Sequence, residues 1–204
     1  MLIGPFSRGG KSRVPVLAAD HDFGDEKLIP FTIFVPEHNK IHMYFTNSRV
    51  TSDFIVDCLQ DFLNNGENFP KVKTLLINQD NGPENNSRRT QFMKRLTEFS
   101  DKFQMNIQLA YYPPYHSKYN PAERVWGALE NKWNGSLLDS VETVLKFSEN
   151  MTWNGHHPVL IKLVEKTYET GKKLTKKVMK KLEKRLKRLP NLAKWFVRIE
   201  PIAT

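Results

Sequence analysis

Repeated changes of hydrophobic period in the middle of the chain limit it to one fold class. Two short apolar runs are typical of strands: Thr74–Asn78, which is continuous and is expected to be covered on both faces, and Ile107–Tyr112, which contains Gln108. Between them, from Ser87 onward, large apolar residues recur at helical intervals, at Phe92, Leu96, Phe99 and Phe103. This alternation predicts an α/β domain with a mixed sheet.

The residues before this region extend the same pattern. Ile29–Val35 and Lys40–Phe45 are rich in β-forming residues and enclose the turn sequence PEHN, which predicts a hairpin. Thr51 or Ser52 is expected to cap a helix that follows the hairpin. The earlier run VPVLAA, at 14–19, is a candidate for a short buried strand.

The residues after the second apolar run are expected to be largely helical. Pro121 suits the first position of a helix, and Trp126 and Trp133, seven residues apart, are expected to share its buried face. The closing sequence LAKWFVRIEP is apolar enough to dock back onto the body of the protein. Three further helices are predicted downstream, at Ser140–Met151, His157–Glu169 and Leu174–Leu189.

The positive charge of the chain is concentrated near its C-terminus. Of 31 Lys and Arg residues against 22 Asp and Glu, ten bases and one acid lie between Lys172 and Arg188, which leaves 21 of each sign elsewhere. Such a segment binds the phosphate backbone of nucleic acid without regard to sequence. A solvated helix face would have the same composition, so the charge alone leaves both interpretations open.

Several classes of protein are excluded by composition. No apolar run approaches the length of a membrane span, and the N-terminus has no signal-peptide core, which predicts a protein without a membrane partner. The single cysteine, Cys58, rules out an internal disulfide and suits a reducing compartment. We therefore expect a cytoplasmic location.

Two acidic residues occupy positions that suit a site. Asp80 lies two residues beyond the first apolar run, and Glu123 lies in the first turn of the helix after the second. Ligands of open α/β sheets bind outside the carboxyl ends of the strands, and carboxylates there suit Mg²⁺ or Mn²⁺. Each acid also has a structural interpretation, Asp80 as a turn residue and Glu123 as a charge favourable to the helix dipole.

Two longer stretches carry a family resemblance. LLINQDNGPENNSRRTQFMKRL and YYPPYHSKYNPAERVWGALENKWNG resemble insertion-sequence transposases of the DDE superfamily, in the Rhodopirellula-type transposase DDE domain. The core YNPAERVW is similar to the NP-x-E-x-x-W signature of related endonucleases. The likeness extends over nearly the whole chain, including SRGGKSR, DHDF, MTWNGHHPV and KTYETGKKLTKK.

The resemblance implies a ribonuclease-H-like fold and a triad of two Asp and one Glu that holds two divalent metal ions, Mg²⁺ or Mn²⁺. By position, Asp80 resembles the second Asp and Glu123 the final Glu. The first Asp of the family pattern lies just before the segment similar to IGPFSRGGKSR, so we expect that strand and its Asp to be missing from this chain. Asp20 and Asp22 have their own place in the pattern and are expected to cap a turn.

These expectations combine into one assignment. Residues 1–135 would form a ribonuclease-H-like DDE core with a mixed sheet that lacks its first central strand, and residues 136–204 a helical extension with a basic helix at 172–188. We expect a transposase domain that cleaves and joins DNA at element ends and target sites, in a truncated and inactive copy. There are three alternatives: a non-catalytic DNA-binding remnant, a partner of a separately encoded amino-terminal fragment, or a general ribonuclease-H-like nuclease. Assembly as a homo-oligomer stays open.

The expected DNA contacts come from two sources. Some flank the two acids, where a polar exposed loop is an equal interpretation, and others lie on the basic segment. They are Arg88, Arg89, His116, Lys118, Arg124, Lys173, Lys176, Lys177, Lys180 and Lys184.

Overall fold

The protein is described by a computed structural model over residues 4–5, 27–66, 72–113 and 119–202 of the 204-residue chain. Packing groups the chain into two compact units, one formed by Met1–Arg49 and Pro121–Thr167, the other by Val50–Asn120 and Tyr168–Thr204. The domain boundary expected after residue 135 stays a prediction, since units of packing need not coincide with functional domains. The run VPVLAA lies outside the described residues. No helix within the described ranges is long and apolar enough to cross a membrane.

The first unit contains a three-stranded mixed sheet in the order β2-β3-β7, with β2 antiparallel and β7 parallel to β3. A short ladder between β1 and β6 lies apart from this sheet. The elements of the unit are β1 (Gly4–Pro5), β2 (Ile29–Val35), β3 (Lys40–Thr46), α3 (Pro121–Trp133), β6 (Leu137–Leu138), α4 (Val141–Glu149) and β7 (Leu160–Leu163).

The predicted hairpin is confirmed. A 3₁₀ turn at Pro36–His38 joins β2 to β3, and Asn39 follows it with a φ of 54°, a left-handed conformation that Asn tolerates better than most residues. Val35 then pairs with Lys40, and the register continues along both strands.

The buried stripe of α3 follows an interval of four. Val125, Leu129 and Trp133 are at most 2% exposed and pack in the core of the first unit. Trp126 lies one residue off this stripe, so its indole is at the margin, 38% exposed, and donates from Nε1 to the Thr32 hydroxyl at 2.8 Å. The expected burial is therefore confirmed for Trp133 and wrong for Trp126.

The second unit contains a four-stranded mixed sheet in the order β4-β5-β9-β8. Strands β4 and β5 are parallel, and β9 is antiparallel to both β5 and β8. The elements of the unit are α1 (Ser52–Asp61), β4 (Thr74–Gln79), α2 (Thr90–Phe103), β5 (Asn106–Tyr111), α5 (Lys176–Glu183), β8 (Leu186–Arg188) and β9 (Phe196–Ile199), with a π-helical turn at Phe62–Gly66 after α1.

Most predicted elements of this unit are present. Thr51 caps α1 by accepting a hydrogen bond from the Phe54 amide at 3.3 Å. In α2, Phe92, Leu96 and Phe99 are fully buried, although the helix begins three residues later than expected.

Strand β4 is more exposed than its apolar sequence suggests. Its side chains alternate between exposed and half-buried, and Leu76 is 52% exposed. Among the described residues β4 pairs only with β5, so it lies at the edge of its sheet. The expectation of a strand covered on both faces is wrong for the described structure.

The C-terminal part is less helical than predicted. The first predicted helix is present as α4, but His157–Glu169 contains strand β7 and no helix. The basic helix ends at Glu183 and gives way to β8, while β9 docks between β5 and β8 with Val197 and Ile199 fully buried. Pairing of β7 with the distant β3, and of β8 with the docked β9, overrides the weak local preference for helix. The docking predicted for the final apolar segment is confirmed.

A polar network attaches the start of the basic segment to α1 and α2. Asp53 accepts hydrogen bonds from Gln91 Nε2 at 2.8 Å and from Lys172 Nζ at 3.1 Å, and Arg95 lies 3.4 Å away. Burial opposes ionisation of Asp53, but these donors outweigh burial and hold the pKa of its carboxyl below the ordinary value of 3.8. Tyr168 adds a hydrogen bond to Asp57 at 3.1 Å.

We expect Asp53→Asn to lower the free energy of unfolding at pH 7 by about 2 kcal/mol, because a charged hydrogen-bond acceptor is lost. The native contribution is complete above pH 3.8, the ordinary pKa of the group, and is lost as the pH falls through the lower pKa of the folded state. Urea unfolding over a pH series should therefore show the native protein and the variant converging in acid.

Glu98→Gln is the control, because Glu98 is half exposed and forms only surface ion pairs with Lys94 and Arg95. A constant difference between the native protein and Asp53→Asn down to acidic pH would contradict the prediction.

Candidate functional site

Asp80 follows β4 directly and is exposed at the carboxyl end of that strand. The Asn85 side chain donates from Nδ2 to Asp80 Oδ1 at 2.8 Å. Within the described part of the chain, Asp80 has no cationic partner and its Oδ2 accepts no hydrogen bond. No cation of the described residues therefore offsets the charge of this carboxylate, and its Oδ2 is available to bind a ligand.

The loop after Asp80 also contains a second carboxylate, which the sequence reasoning missed. Arg89 donates to Glu84 from Nη2 at 3.1 and 3.0 Å and from Nε at 3.2 Å. The Ser52 hydroxyl donates to the Glu84 carbonyl at 2.6 Å, and the Ser52 amide donates to Oε2 at 3.2 Å. Glu84 is thus neutralised and anchors the loop to the start of α1, a role that no sequence spacing indicated.

Two further hydrogen bonds, from β5 and β8, hold the loop after Asp80. Tyr111 of β5 is buried and donates from its hydroxyl to the Asn85 carbonyl at 2.9 Å. Burial raises the pKa of the Tyr111 phenol well above its usual range, so it remains a donor at neutral pH. Arg188 of β8 donates to the Ser87 carbonyl at 2.9 Å.

Glu123 lies in the first turn of α3, where the positive end of the helix dipole favours a carboxylate. It is exposed, and among the described residues its side chain has neither an ion pair nor a hydrogen bond. Arg124 beside it is exposed as well.

The predicted site residues are therefore only partly brought together. Asp80 belongs to the second unit and Glu123 to the first, so their convergence on one metal site stays a prediction. His116 and Lys118 lie outside the described residues, as do Asp20 and Asp22. Arg88 is exposed, whereas Arg89 is half-buried against Glu84, and its role in DNA contact stays a prediction.

The basic segment divides into paired and unpaired residues. Lys172 pairs with Asp53, and Arg185 forms a bidentate pair with Asp101 at 2.7 and 2.6 Å, which holds the pKa of the Asp101 carboxyl below its usual range. Lys187 and Arg188 also have carboxylate partners. Within the described ranges six exposed lysines have no carboxylate within 4.0 Å: Lys173, Lys176, Lys177, Lys180, Lys181 and Lys184.

The surroundings of Asp80 fit a hard cation. Its carboxylate is an oxygen donor of the kind that Mg²⁺ and Mn²⁺ prefer. Gly82 keeps the neighbouring space open, since a Cβ there would lie 2.8 Å from Asn85 Oδ1 and 3.6 Å from both Asp80 carboxylate oxygens. No cluster of three His, Cys, Asp or Glu side chains suited to a metal occurs among the described residues.

A mixed α/β fold of two mixed sheets and flanking helices, with an exposed carboxylate at a strand end, is consistent with the ribonuclease-H-like class of DDE enzymes. The chain belongs to the Rhodopirellula transposase DDE domain family, whose model matches residues 1–201. Membership indicates a transposition-related nuclease function, in a family that acts on DNA and generally uses divalent metals. No curated protein and no solved structure is significantly similar to the chain.

The adjacent residues Arg88 and Arg89 should differ in how much each stabilises the loop after β4. We expect Arg89→Met to lower the free energy of unfolding by about 2 kcal/mol, because Glu84 loses its charged partner, and to speed amide hydrogen exchange in residues 80–89. Arg88→Met should change stability by less than about 0.5 kcal/mol, because Arg88 is exposed. Equal effects of both variants on exchange would contradict this division.

Proposed function

We propose that the chain is the catalytic domain of an insertion-sequence transposase that cleaves DNA strands and joins them to target DNA. Asp80 and Glu123 would hold divalent ions, Mg²⁺ or Mn²⁺. The observation that carries the proposal is the exposed Asp80 carboxylate at a strand end, in a chain whose family match extends over residues 1–201.

Such ions, when bound, would favour ionisation of water and offset the charge that develops on the leaving oxygen. Asp80 would bind through Oδ2, its other oxygen being held by Asn85, and Glu123 would bind from the first turn of α3. In the reaction, water attacks the phosphorus at the element end and the 3′-oxygen leaves. The freed 3′-hydroxyl then attacks a phosphorus of target DNA, the P–O bond to the 3′-oxygen of the target strand breaks, and that oxygen leaves as a hydroxyl, with no covalent enzyme intermediate.

DNA would be bound mainly through its backbone. Lys173, Lys176, Lys177, Lys180 and Lys184 present positive charge that no carboxylate of the described ranges offsets. Arg88 and Arg124 are exposed near the two acids along the chain, and His116 and Lys118 precede Glu123 in sequence. These residues form the proposed DNA contacts, with Arg89 in a supporting part.

A DNA substrate and the free thiol of Cys58 both suit a cytoplasmic protein, and assembly as a homo-oligomer is compatible with this function.

We further propose that this polypeptide alone is catalytically inactive. The family triad needs three carboxylates, and residues of this chain match two of them. A separately encoded amino-terminal fragment is the proposed source of the third carboxylate in an active assembly.

The purified chain, incubated with labelled element-end DNA and Mg²⁺ or Mn²⁺, should produce no nicked product. Nicking that Asp80→Asn and Glu123→Gln abolish would disprove inactivity but support the site assignment. Glu130→Gln is the matched control, because Glu130 is another exposed acid of α3. Nicking of RNA–DNA hybrids in preference to element ends would instead favour a general nuclease.

A second candidate function is DNA binding without catalysis. The lysines of α5 favour it, since within the described part of the chain they have no carboxylate partners and their positive charge is available to phosphate. In that case the chain would be a DNA-binding remnant or the partner of a separate fragment.

Binding to duplex DNA should weaken with salt, and replacing Lys176, Lys177 and Lys180 with Gln should reduce the slope of log K against log salt by about 3. The matched control replaces Lys94, Lys102 and Lys146 with Gln, which removes the same charge from outside α5. Equal changes in both triple variants would show that net charge, and not this helix, binds DNA. Unchanged binding in Asp80→Asn and Glu123→Gln would separate binding from the metal site.

A further inference from the structure

Asn85 is held in one orientation by two hydrogen bonds from its amide nitrogen. Nδ2 donates to Asp80 Oδ1 at 2.8 Å and, more weakly, to Gln79 Oε1 at 3.4 Å. The opposite orientation would place Asn85 Oδ1 against these two acceptor oxygens, which is unfavourable. The amide is therefore fixed as a donor to Asp80.

The backbone of Asn85 is held by the two parallel strands below it. The Asn85 carbonyl accepts hydrogen bonds from the Tyr111 hydroxyl at 2.9 Å and from Gln79 Nε2 at 3.3 Å. Gln79 ends β4 and pairs in register with Tyr111, which ends β5. Asn85, the donor to Asp80, lies in the loop after β4, but hydrogen bonds from the ends of both strands hold its backbone in place.

Position 82 preserves the room that this contact needs. A Cβ on Gly82 would lie 2.8 Å from Asn85 Oδ1, closer than real Cβ contacts allow. Gly82 does not have a positive φ, so the backbone conformation at this position would accept alanine. Its effect would be to displace the Asn85 amide.

The two carboxylates of this loop differ in the charge of their hydrogen-bond partners. Glu84 receives a guanidinium, which cancels its charge and makes it an anchor. Asp80 receives a neutral amide on one oxygen, which restricts its rotation and leaves its negative charge for a cation.

We propose that Asn85 is a positioning residue for Asp80: its amide holds Oδ1 and thereby presents Oδ2 to a divalent cation. This inference rests on the proposed function, in which Asp80 binds the metal. Hydrogen-bond partners of metal ligands are typically worth about 10- to 100-fold in metal affinity.

The first measurement needs no metal. Three-bond NMR couplings of the Asp80 side chain should report one rotamer in the native protein and averaging between rotamers in Asn85→Ala. The matched control is Asn86→Ala, because Asn86 is the adjacent asparagine and its amide donates only to the carbonyls of Gly82 and Pro83, at 2.9 and 3.2 Å. An unchanged Asp80 rotamer in Asn85→Ala would overturn the inference, whatever the metal does.

The second measurement is titration with Mn²⁺, followed by paramagnetic broadening of the Asp80 and Asn81 amide signals. We expect Asn85→Ala to weaken Mn²⁺ binding about 10-fold and Asn86→Ala to change it less than about 2-fold. Gly82→Ala should weaken binding as well, but should add little in the Asn85→Ala background, because it acts by displacing that amide.

The outcomes separate the two proposals. Broadening that is absent from the native protein, or that persists in Asp80→Ala, would contradict the assignment of Asp80 as a metal ligand and with it the purpose given to Asn85. Binding lost in Asp80→Ala but unchanged in Asn85→Ala would leave the proposed function intact and overturn the role of Asn85. Equal losses in Asn85→Ala and Asn86→Ala would assign the effect to loop stability and overturn it too.

Discussion

The parallel pairing of β4 with β5 is the constraint on which the candidate site depends. It sets Gln79 beside Tyr111 at the carboxyl ends of the two strands, and both donate to the Asn85 carbonyl. Asn85 in turn donates to Asp80, so the register of two strands determines where one carboxylate lies. A slip by one residue would turn Tyr111 to the other face of the sheet and remove the support.

Charge has two separate roles in the second unit. Paired groups attach the C-terminal segment to the body, as Lys172 does at Asp53 and Arg185 at Asp101. These contacts are partly buried and hydrogen-bonded, so they contribute to stability more than isolated surface pairs do. The lysines of α5 have no such partners among the described residues, and for that reason they are the residues proposed to contact phosphate.

Elements decided by local rules were predicted well from the sequence. The hairpin of β2 and β3, the cap at Thr51 and the start of α3 at Pro121 each depend on nearby residues. Elements that exist through strand pairing were mistaken, because β7 is a short segment completed by the distant strand β3, and β8 is completed by β9, which is itself paired with the distant strand β5. The exposure of Trp126 was missed for a related reason: helical spacing gives the direction of a side chain but not what lies opposite it.

The sequence by itself determined the family, the mixed α/β class and the identity of the two acids proposed as ligands, because these depend on residue type, order and spacing. Only the tertiary structure distinguished the acids of one loop, Asp80 held by a neutral amide and Glu84 neutralised by Arg89. It also divided the basic segment into anchoring and unpaired residues. The physical reason is that a charge acquires its role from the partners within a few ångströms, and those partners are brought near by folding and not by adjacency in sequence.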